Sequence, residues 1–588
     1  KSRETSSLKS YPQKVDTIIC ILIFVIFSNI EYNLSNGFIL KKRKMAMTAK
    51  KTVSIAATLI AISLSLAACS SKSGSKNDQQ VLNWSEATEL SSIDPSKATD
   101  SESFDMLGNS MEGLYRLGKN SKVEPGIARS TKISKNKLHY TFTLRKGAKW
   151  SNGDEVTAKD FVYSWKRTID PKTGSSYSYL FDGVANANDI INGKKSPTTL
   201  GIKADGKYKL SVTLDKQVPY FKLLMGFPVF FPQNEKAVKK YGSNYGTESK
   251  YMVYNGPFVM KNWTGSNLSW KFKKNNDYWD KKNVKLSGIN FKVNKSPSTA
   301  YNLYQSGKSD MSQLSTEQAR QLNKKPGFTV EKSGQMTYLE FNQKQAAFKN
   351  TKIRQALSLA INRKQLAGKI MGEGTEIPTG IVPNGLAKNN GTDFSKEAKT
   401  DDLRYSESEA KRLFNEGLAE IGQSKLRFTL LGADTDQSKD VTAYIQSQLE
   451  QHLGSDKIRV DVSNVPLKTR LSRSRAGNFD VVAANWVADY TDPISFMELF
   501  TTGNEYNDGS WSNSQYDELI KAAKTTDAAD PDKRWNDMVK ASKILSKDMG
   551  VSPLYQQNSP EMIRPKVKGL IVNSAGVMYN YKNVHIEE

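Results

Sequence analysis

Cysteine and histidine are scarce in this chain, which has two cysteines and three histidines in 588 residues. Both cysteines, Cys20 and Cys69, lie in the N-terminal part. No pair remains in the rest of the chain for an internal disulfide, so core packing must stabilise the fold. His139, His452 and His585 have no cysteine cluster beside them. We therefore expect no catalytic zinc or copper site and no cofactor.

Catalytic motifs are also missing. No Gly-x-Ser-x-Gly elbow occurs, and no nucleophile stands beside a base. The segment from Gly113 to Asn120 nearly matches a phosphate-binding loop, but Asn120 replaces the hydroxyl residue that would hold magnesium. The sequence therefore predicts a binding protein and not an enzyme.

Acidic residues are fewer than basic ones, 60 against 85 lysines and arginines, and the formal net charge is +25. Part of this excess lies in residues 1–51, and the remainder is still basic. No zinc-knuckle spacing, RNP-like motif or helix-turn-helix pattern accompanies the charge, so we expect no nucleic-acid partner. A lysine-rich surface that faces an anionic cell envelope accounts for it.

An export signal precedes the main part of the chain. Two lysines at 50–51 are followed by an apolar run at 53–66, shorter than the roughly 18 residues of a membrane-spanning helix. Small residues and Cys69 end the run, and this resembles the lipobox of bacterial lipoproteins. We expect a signal peptide at 45–68, lipidation of Cys69 and a Ser/Gly/Lys-rich tether at 69–79. The alternative is an ordinary signal peptide with an incidental cysteine.

Residues 1–44 carry their own apolar run at 18–27, about half the length needed to span a bilayer. A signal peptide of ordinary size would begin at Met45 or Met47. We therefore expect residues 1–44 to be an upstream, non-mature segment. A membrane-embedded N-terminus is the alternative.

Alternating patterns predict strands in the first half of the chain. Apolar residues alternate with polar ones at 138–144, which places His139 on the outward face, and again at 210–214. Thr157 and Asp160 have the spacing of a capping box at a helix start. The helix that follows has an apolar face at four-residue spacing: Phe161, Trp165 and Ile169.

The second half has a different order of elements. We predict strand 426–431, helix 441–453, strand 458–462, helix 467–476 and strand 479–486. This order implies a parallel sheet with helices on its faces. Ligands of such sheets bind beyond the carboxyl ends of the strands. The loop at 488–493, which carries carboxylates and an aromatic ring, therefore lies where a site is expected.

The sequence from Tyr140 to Gly153, continued through 156–165, resembles the signature of the oligopeptide-binding proteins of ABC importers, within family 5 of the extracellular solute-binding proteins. Further matches follow in the same order along the chain. They lie at 218–221, 255–258, 304–310, 353–363, 486–493 and 513–517. The resemblance covers nearly all of residues 80–588.

The resemblance implies an α/β, two-lobed fold like that of periplasmic binding proteins of type II, cluster C. An extra subdomain is expected within lobe one, and two crossing segments are expected to act as hinges. The implied boundaries are 80–335 for lobe one with the subdomain at about 116–249, 336–556 for lobe two, and 557–588 for the return to lobe one.

The resemblance also implies the ligand contacts. Asp489 matches the family aspartate that pairs with the α-amino group of a peptide, and the expected wall residues of the cleft are Asn485, Trp486, Tyr490 and Tyr555. Two positions depart from relatives. Val487 stands where some members have a cysteine of a disulfide within lobe two, and Leu467 stands where some have an aromatic residue in the cleft.

The implied function is that of a lipid-anchored receptor, a monomer on the extracellular face of the bacterial cytoplasmic membrane. It would bind oligopeptides and deliver them to a permease driven by separate ATPase subunits. The alternative within the same fold is a signalling receptor for peptide pheromones or cell-wall peptides. Relatives of the fold also bind nickel complexes, haem or sugars. A third alternative, an envelope hydrolase, would need a nucleophile and a base that the sequence does not offer.

Overall fold

A computed structural model of the chain describes residues 80–587, the side chain of residue 120 excepted. The expected upstream segment, signal peptide and tether, with Cys69, lie outside these residues. Among residues 80–587, no helix combines the length and the apolar character that a bilayer crossing requires.

The strands are numbered in chain order. They are β1 Val81–Glu86, β2 Tyr115–Leu117, β3 Val123–Pro125, β4 Ala128–Ile133, β5 His139–Leu144, β6 Ile202–Ala204, β7 Lys209–Thr213, β8 Phe258–Lys261, β9 Ser269–Lys274, β10 Gly288–Val293, β11 Met311–Gln313, β12 Phe328–Phe341, β13 Lys388–Asn389, β14 Thr392–Asp393, β15 Leu426–Ala433, β16 Ile458–Val465, β17 Val481–Val487, β18 Val551–Ile563, β19 Val567–Lys568, β20 Ile571–Val572, β21 Tyr579–Asn580 and β22 His585–Ile586.

The α-helices are numbered in the same way. They are α1 Ser101–Ser110, α2 Ala158–Ile169, α3 Ala187–Ile191, α4 Phe221–Leu224, α5 Glu235–Tyr241, α6 Pro297–Gln305, α7 Thr316–Leu322, α8 Ala346–Lys349, α9 Thr351–Leu359, α10 Arg363–Gln365, α11 Phe394–Glu397, α12 Glu407–Glu420, α13 Asp436–Leu453, α14 Leu467–Arg475, α15 Ile494–Met497, α16 Ser514–Lys524 and α17 Pro531–Lys547.

Two four-stranded sheets form the first lobe. One has the order β1-β10-β9-β8, with β1 and β10 parallel, and the other has the order β4-β5-β7-β6 and is antiparallel throughout. The strands predicted at 138–144 and 210–214 are confirmed as β5 and β7. Inward residues of β5 are buried, and His139 is exposed, as its place in the alternation predicts.

A six-stranded sheet with the order β11-β18-β12-β17-β15-β16 continues into the second lobe. Strand β15 is parallel to both β16 and β17, which confirms the predicted β-α-β-α-β order. Helix α13 begins five residues before its predicted start at 441, because Thr435 caps it by accepting from the Ser438 N–H at 3.2 Å. The first five residues of the helix are polar, so the spacing of apolar residues in the sequence could not show that the helix begins there.

The two longest strands, β12 and β18, run antiparallel from one lobe to the other. Their pairing shifts register between Lys332 and Gln335 and again between Thr337 and Tyr338. The expected lobe boundaries, 335/336 and 556/557, fall inside these strands and remain predictions. We use lobe one for the part before β12 and after β18, and lobe two for the part between them.

Helix α2 begins as its sequence predicts. The Asp160 carboxylate accepts from the backbone N–H of Thr157 at 2.7 Å and from its hydroxyl at 2.9 Å, which confirms the capping box. The apolar face of the helix is fully buried, and the Trp165 indole N–H donates to the Phe230 carbonyl at 3.0 Å. The cap therefore fixes the start of a helix on which much of the lobe-one core packs.

We expect Asp160→Ala to lower the free energy of unfolding by about 1 kcal/mol, because it removes the acceptor for the N–H that begins helix α2. Urea titration followed by circular dichroism would measure the change. The matched control is Asp277→Ala, at an exposed aspartate of lobe one that does not cap a helix. Equal losses in the two variants would contradict the role assigned to the cap.

Candidate ligand cavity between the lobes

A cavity of about 470 Å³ lies between the two lobes. This volume falls within the range of typical ligand sites, about 300–1,000 Å³. Lobe one contributes residues that follow β1, residues of α1 and the segment before β21. Lobe two contributes the ends of β15 and β17, the start of α13 and part of α14. The carboxyl ends of parallel strands therefore form one wall, as the sequence predicts.

Asp489 lies in this wall, two residues after β17 ends. Its side chain is buried, and its Oδ1 accepts from the Tyr177 hydroxyl at 3.1 Å. Its Oδ2 is also buried and has no hydrogen-bond partner. Burial raises the pKa of the Asp489 carboxyl well above its ordinary value, the nearby Glu498 adds to the rise, and the Tyr177 hydrogen bond opposes it. A cation placed at Oδ2 would supply the missing partner.

Contacts from both neighbouring segments hold the backbone of this loop. The Ala488 N–H donates to the Gly334 carbonyl at 3.0 Å, and the Gly576 N–H donates to the Ala488 carbonyl at 2.8 Å. Gly576 has φ +70°, and a Cβ there would lie 2.9 Å from the Asp489 carbonyl oxygen. Only glycine fits this approach without strain. The Asp489 N–H itself donates to the Ser495 hydroxyl oxygen at 2.8 Å, so backbone contacts on both sides fix the position of this residue.

Four of the five predicted contact residues line the cavity: Asn485, Trp486, Asp489 and Tyr555. The Trp486 ring stacks on Tyr177 at 6.1 Å, and its Nε1 is buried without a partner. Burial raises the pKa of Tyr555 to about 12. Leu467, the departure from aromatic relatives, lines the cavity as well.

Tyr490, the fifth predicted residue, lies behind this wall and not among the cavity residues. Its ring stacks on Tyr220 of lobe one at 4.8 Å, and its hydroxyl donates to Glu498 Oε1 at 3.2 Å. The chain places Tyr490 next to Asp489, but the turn into α15 directs it towards the interface between the lobes. We therefore leave it out of the proposed ligand contacts.

Strands β15 and β17 separate as they approach the cavity. They pair at only two positions, Leu430 with Val481 and Leu431 with Val482, whereas β15 and β16 pair along their whole length. Beyond that point Ala433 and Asn485 both line the cavity. After Val482, the edge of β17 that faces β15 has no neighbouring strand, whereas its other edge remains paired with β12. An extended ligand backbone could pair with the free edge.

Ion pairs join the lobes around the cavity. At its rim, Lys295 of lobe one lies 2.7 Å from Asp434 of lobe two and 3.3 Å from Glu89. Behind Asp489, Lys524 of α16 lies 2.8 Å from Asp182 of lobe one and 2.6 Å from Glu498 of lobe two. These contacts hold the two lobes together in the arrangement that encloses the cavity.

Sequence reasoning missed the residues that come from distant parts of the chain. They are Tyr177, which bonds to Asp489, Arg470, and three acidic residues at the lobe-one end of the cavity: Glu86, Asp105 and Glu561. Arg470 is buried, and burial lowers the pKa of its guanidinium. No local motif marks any of them, because only the fold brings them together.

The buried Glu561 carboxyl should make the free energy of unfolding depend on pH. Its pKa is raised from the ordinary 4.5 to about 8 by burial, against a hydrogen bond from the Tyr579 hydroxyl. The unfolded chain loses this proton near pH 4.5, whereas the folded protein keeps it to about pH 8. The folded state therefore binds more protons across this interval, and the free energy of unfolding should fall as pH rises.

The amide of Glu561→Gln does not titrate. We therefore expect the free energy of unfolding of this variant to fall less between pH 5 and pH 8 than that of the unaltered protein, by on the order of a few kcal/mol. Urea titrations of the ligand-free protein at four pH values in this range would measure it. Glu518→Gln, which changes an exposed carboxylate on α16, is the matched control and should keep the slope of the unaltered protein. Identical slopes for all three proteins would contradict the assigned pKa.

Comparisons with known proteins agree with this geometry. The model of bacterial extracellular solute-binding proteins, family 5 middle, matches residues 122–508. The dipeptide-binding protein of Lactococcus lactis subsp. cremoris (strain MG1363) is 41% identical over 547 residues, which cover 90% of this chain and 98% of the relative.

Solved structures are similar over the same range. Listeria monocytogenes OppA bound to peptide has a TM-score of 0.83 and 38% identity, and the match covers 87% of this chain and 99% of that one. The pheromone receptor PrgZ has a TM-score of 0.82 and 34% identity, and the match covers 87% of this chain and 100% of that one. The α/β, two-lobed fold expected from the sequence is thereby confirmed.

Proposed function

Because this chain belongs to family 5 of the bacterial extracellular solute-binding proteins, we propose that it captures oligopeptides between its lobes and delivers them to the permease of an ABC importer. The observation that carries the proposal is the buried Asp489 carboxylate, whose Oδ2 has no partner in the wall of a cavity enclosed by both lobes. The α-ammonium group of a peptide has the charge and the donors that this oxygen lacks.

The rest of a peptide would be bound through what all peptides share. The unpaired edge of β17 beyond Val482 offers backbone groups to an extended main chain. Asn485, Trp486 and Tyr555 would border the bound chain. Water can fill the remaining side-chain space at little cost, so such a site tolerates many sequences. No step in this function requires a catalytic residue, a metal or a cofactor, and we propose none.

Mass spectrometry of the ligands released from the purified protein tests this function. We expect a mixture of short peptides with free amino termini. Repeated recovery of a single non-peptide compound in stoichiometric amount would refute the proposal. Recovery of many sequences would support nutrient uptake.

A signalling receptor for pheromone or cell-wall peptides is the second candidate, and the similarity to the pheromone receptor PrgZ favours it. The two functions differ in the breadth of the ligands and not in the site. Incubation with a random peptide library separates them, since enrichment of one sequence supports signalling and enrichment of many supports uptake.

We also propose that Cys69, outside the described residues, is the lipidated first residue of a mature monomer at the outer face of the cytoplasmic membrane. Confinement near the permease would raise the effective concentration of the receptor there. The intact mass of protein extracted from membranes checks this. A mass that begins at Cys69 and includes acyl chains is expected, and an unmodified N-terminus upstream of Cys69 would contradict it.

A further inference from the structure

Three acidic residues line the cavity at its lobe-one end. Glu86 ends β1, Asp105 lies in α1 and Glu561 lies in β18, and their side chains are 6%, 5% and 0% exposed. Among the described residues, no lysine, arginine or histidine forms an ion pair with any of the three. The protein therefore buries three carboxyl groups together without a cation of its own.

Two of these side chains also have one buried oxygen each without a hydrogen-bond partner. Glu86 Oε1 and Glu561 Oε2 are buried and unpartnered, although Glu561 Oε1 accepts from the Tyr579 hydroxyl at 2.6 Å. Glu112, equally buried but outside the cavity, shows the contrast. It accepts from Arg116 at 3.2 Å, from the Trp279 indole at 2.6 Å and from the Tyr278 hydroxyl. A buried acceptor without a donor is costly, so the unpartnered oxygens indicate a ligand group.

An organic cation fits the spacing of these three carboxyl groups better than a metal ion does. Among the described residues, no three acidic, histidine or cysteine side chains lie close enough to hold a metal. An ammonium or guanidinium group on a flexible stem would place donors between separated carboxyl groups. Burial raises the pKa of Glu86 well above its ordinary value, and the neighbouring carboxylates, Asp105 and Glu561 among them, add to the rise. Burial likewise raises the pKa of Asp105, against backbone hydrogen bonds from Tyr579 and Met578. An incoming cation would favour the ionised form of both groups.

The cluster is within reach of a peptide held at Asp489. The Gly576 N–H bonds to Ala488, next to Asp489, and Tyr579 bonds to Glu561 through its hydroxyl and to Asp105 through its N–H. Tyr579 follows Gly576 by three positions, so their Cα atoms are at most about 11 Å apart. An extended peptide advances about 3.3 Å per residue, so its second or third side chain can approach the cluster.

We propose that Glu86, Asp105 and Glu561 form a subsite for a basic side chain at the second or third residue of the bound peptide. This inference rests on the proposed peptide-binding function and names the class of peptide that the cavity prefers. Lysine and arginine peptides would bind with the α-ammonium at Asp489 and the side-chain cation at the cluster.

Isothermal titration calorimetry with four tripeptides tests the subsite. Ala-Lys-Ala and Ala-Ala-Lys are compared with the same peptides containing norleucine in place of lysine, which keeps the four side-chain carbons of lysine and lacks the ammonium group. The protein is expected to bind at least one lysine peptide about 10-fold more tightly than its norleucine counterpart, as one charge-assisted hydrogen bond would give. Glu561→Gln and Glu86→Gln should each reduce that ratio, and Glu518→Gln should keep it.

The outcomes separate this inference from the function on which it rests. Equal affinity of the unaltered protein for all four peptides would refute the subsite and leave the proposed peptide binding intact. A preference for lysine that is unchanged in both Glu561→Gln and Glu86→Gln would have the same meaning. Failure of all four peptides to bind would refute the proposed function and the subsite together. The preference of the unaltered protein is measured without any variant, so a variant that fails to fold does not remove the test.

Discussion

Asp489→Asn should weaken the binding of a free tripeptide such as Ala-Ala-Ala by about 30-fold or more, since loss of one partner of a buried charge pair costs about 2–5 kcal/mol. Asparagine keeps the shape of the side chain and an oxygen for the Tyr177 hydroxyl, which now lies 3.1 Å from Oδ1. It replaces the unpartnered Oδ2 by an amide N–H₂ group, which repels the donors of an α-ammonium. The measurement is the dissociation constant by calorimetry.

N-acetylated Ala-Ala-Ala supplies the second half of the experiment. Acetylation removes the charge from the peptide, so the unaltered protein should bind it far more weakly than the free peptide. In Asp489→Asn the two peptides should bind with nearly equal affinity, because the interaction that distinguishes them is already absent. Asp277→Asn, an exposed position on lobe one, is the matched control and should keep the full preference. Equal affinity of the unaltered protein for both peptides would refute the anchoring role of Asp489.

The position of Asp489 could be predicted because two signals in the sequence are local. Alternating and continuous apolar runs predicted the strands and helices between 426 and 486 in their correct order. That order alone places the loop after β17 at the carboxyl edge of a parallel sheet. The resemblance to a family then singled out one carboxylate in that loop. The capping box at Thr157 and Asp160 was predictable for the same reason, since its residues are three apart.

The other parts of the site depend on contacts that no local pattern records. Glu86 and Glu561 both line the cavity although 475 positions separate them, because the end of β18 that carries Glu561 pairs with β11 of lobe one. Tyr490 shows the converse. Its neighbour Asp489 faces the cavity, but the turn into α15 sends the Tyr490 ring to Tyr220 across the interface. Adjacency in sequence predicts which loop carries a site, and only packing decides which side chains of the loop reach it.

Lys524→Met should weaken peptide binding about 10- to 100-fold although Lys524 does not line the cavity. Its ammonium group bridges Asp182 of lobe one and Glu498 of lobe two. Burial alone would lower the pKa of Lys524, but the attraction of these two carboxylates outweighs it and raises the pKa well above its ordinary value. Loss of the charge leaves Glu498 buried without its cation and removes a contact that joins the two lobes.

The effect is expected on closure and not on the ligand contacts. When the open form predominates without ligand, the apparent affinity for peptide is proportional to the equilibrium constant for closure. A variant that lowers this constant by a given factor therefore lowers the affinity by the same factor. Small-angle X-ray scattering should therefore show that Lys524→Met needs a higher peptide concentration to become compact, while its preference for free over acetylated peptide is kept. Lys521→Met, an exposed lysine one turn earlier on α16, is the matched control and should bind as the unaltered protein does. An equal loss in both variants would assign the effect to general charge, whereas a loss confined to Lys524→Met places part of the binding energy in a contact between the lobes that the peptide never touches.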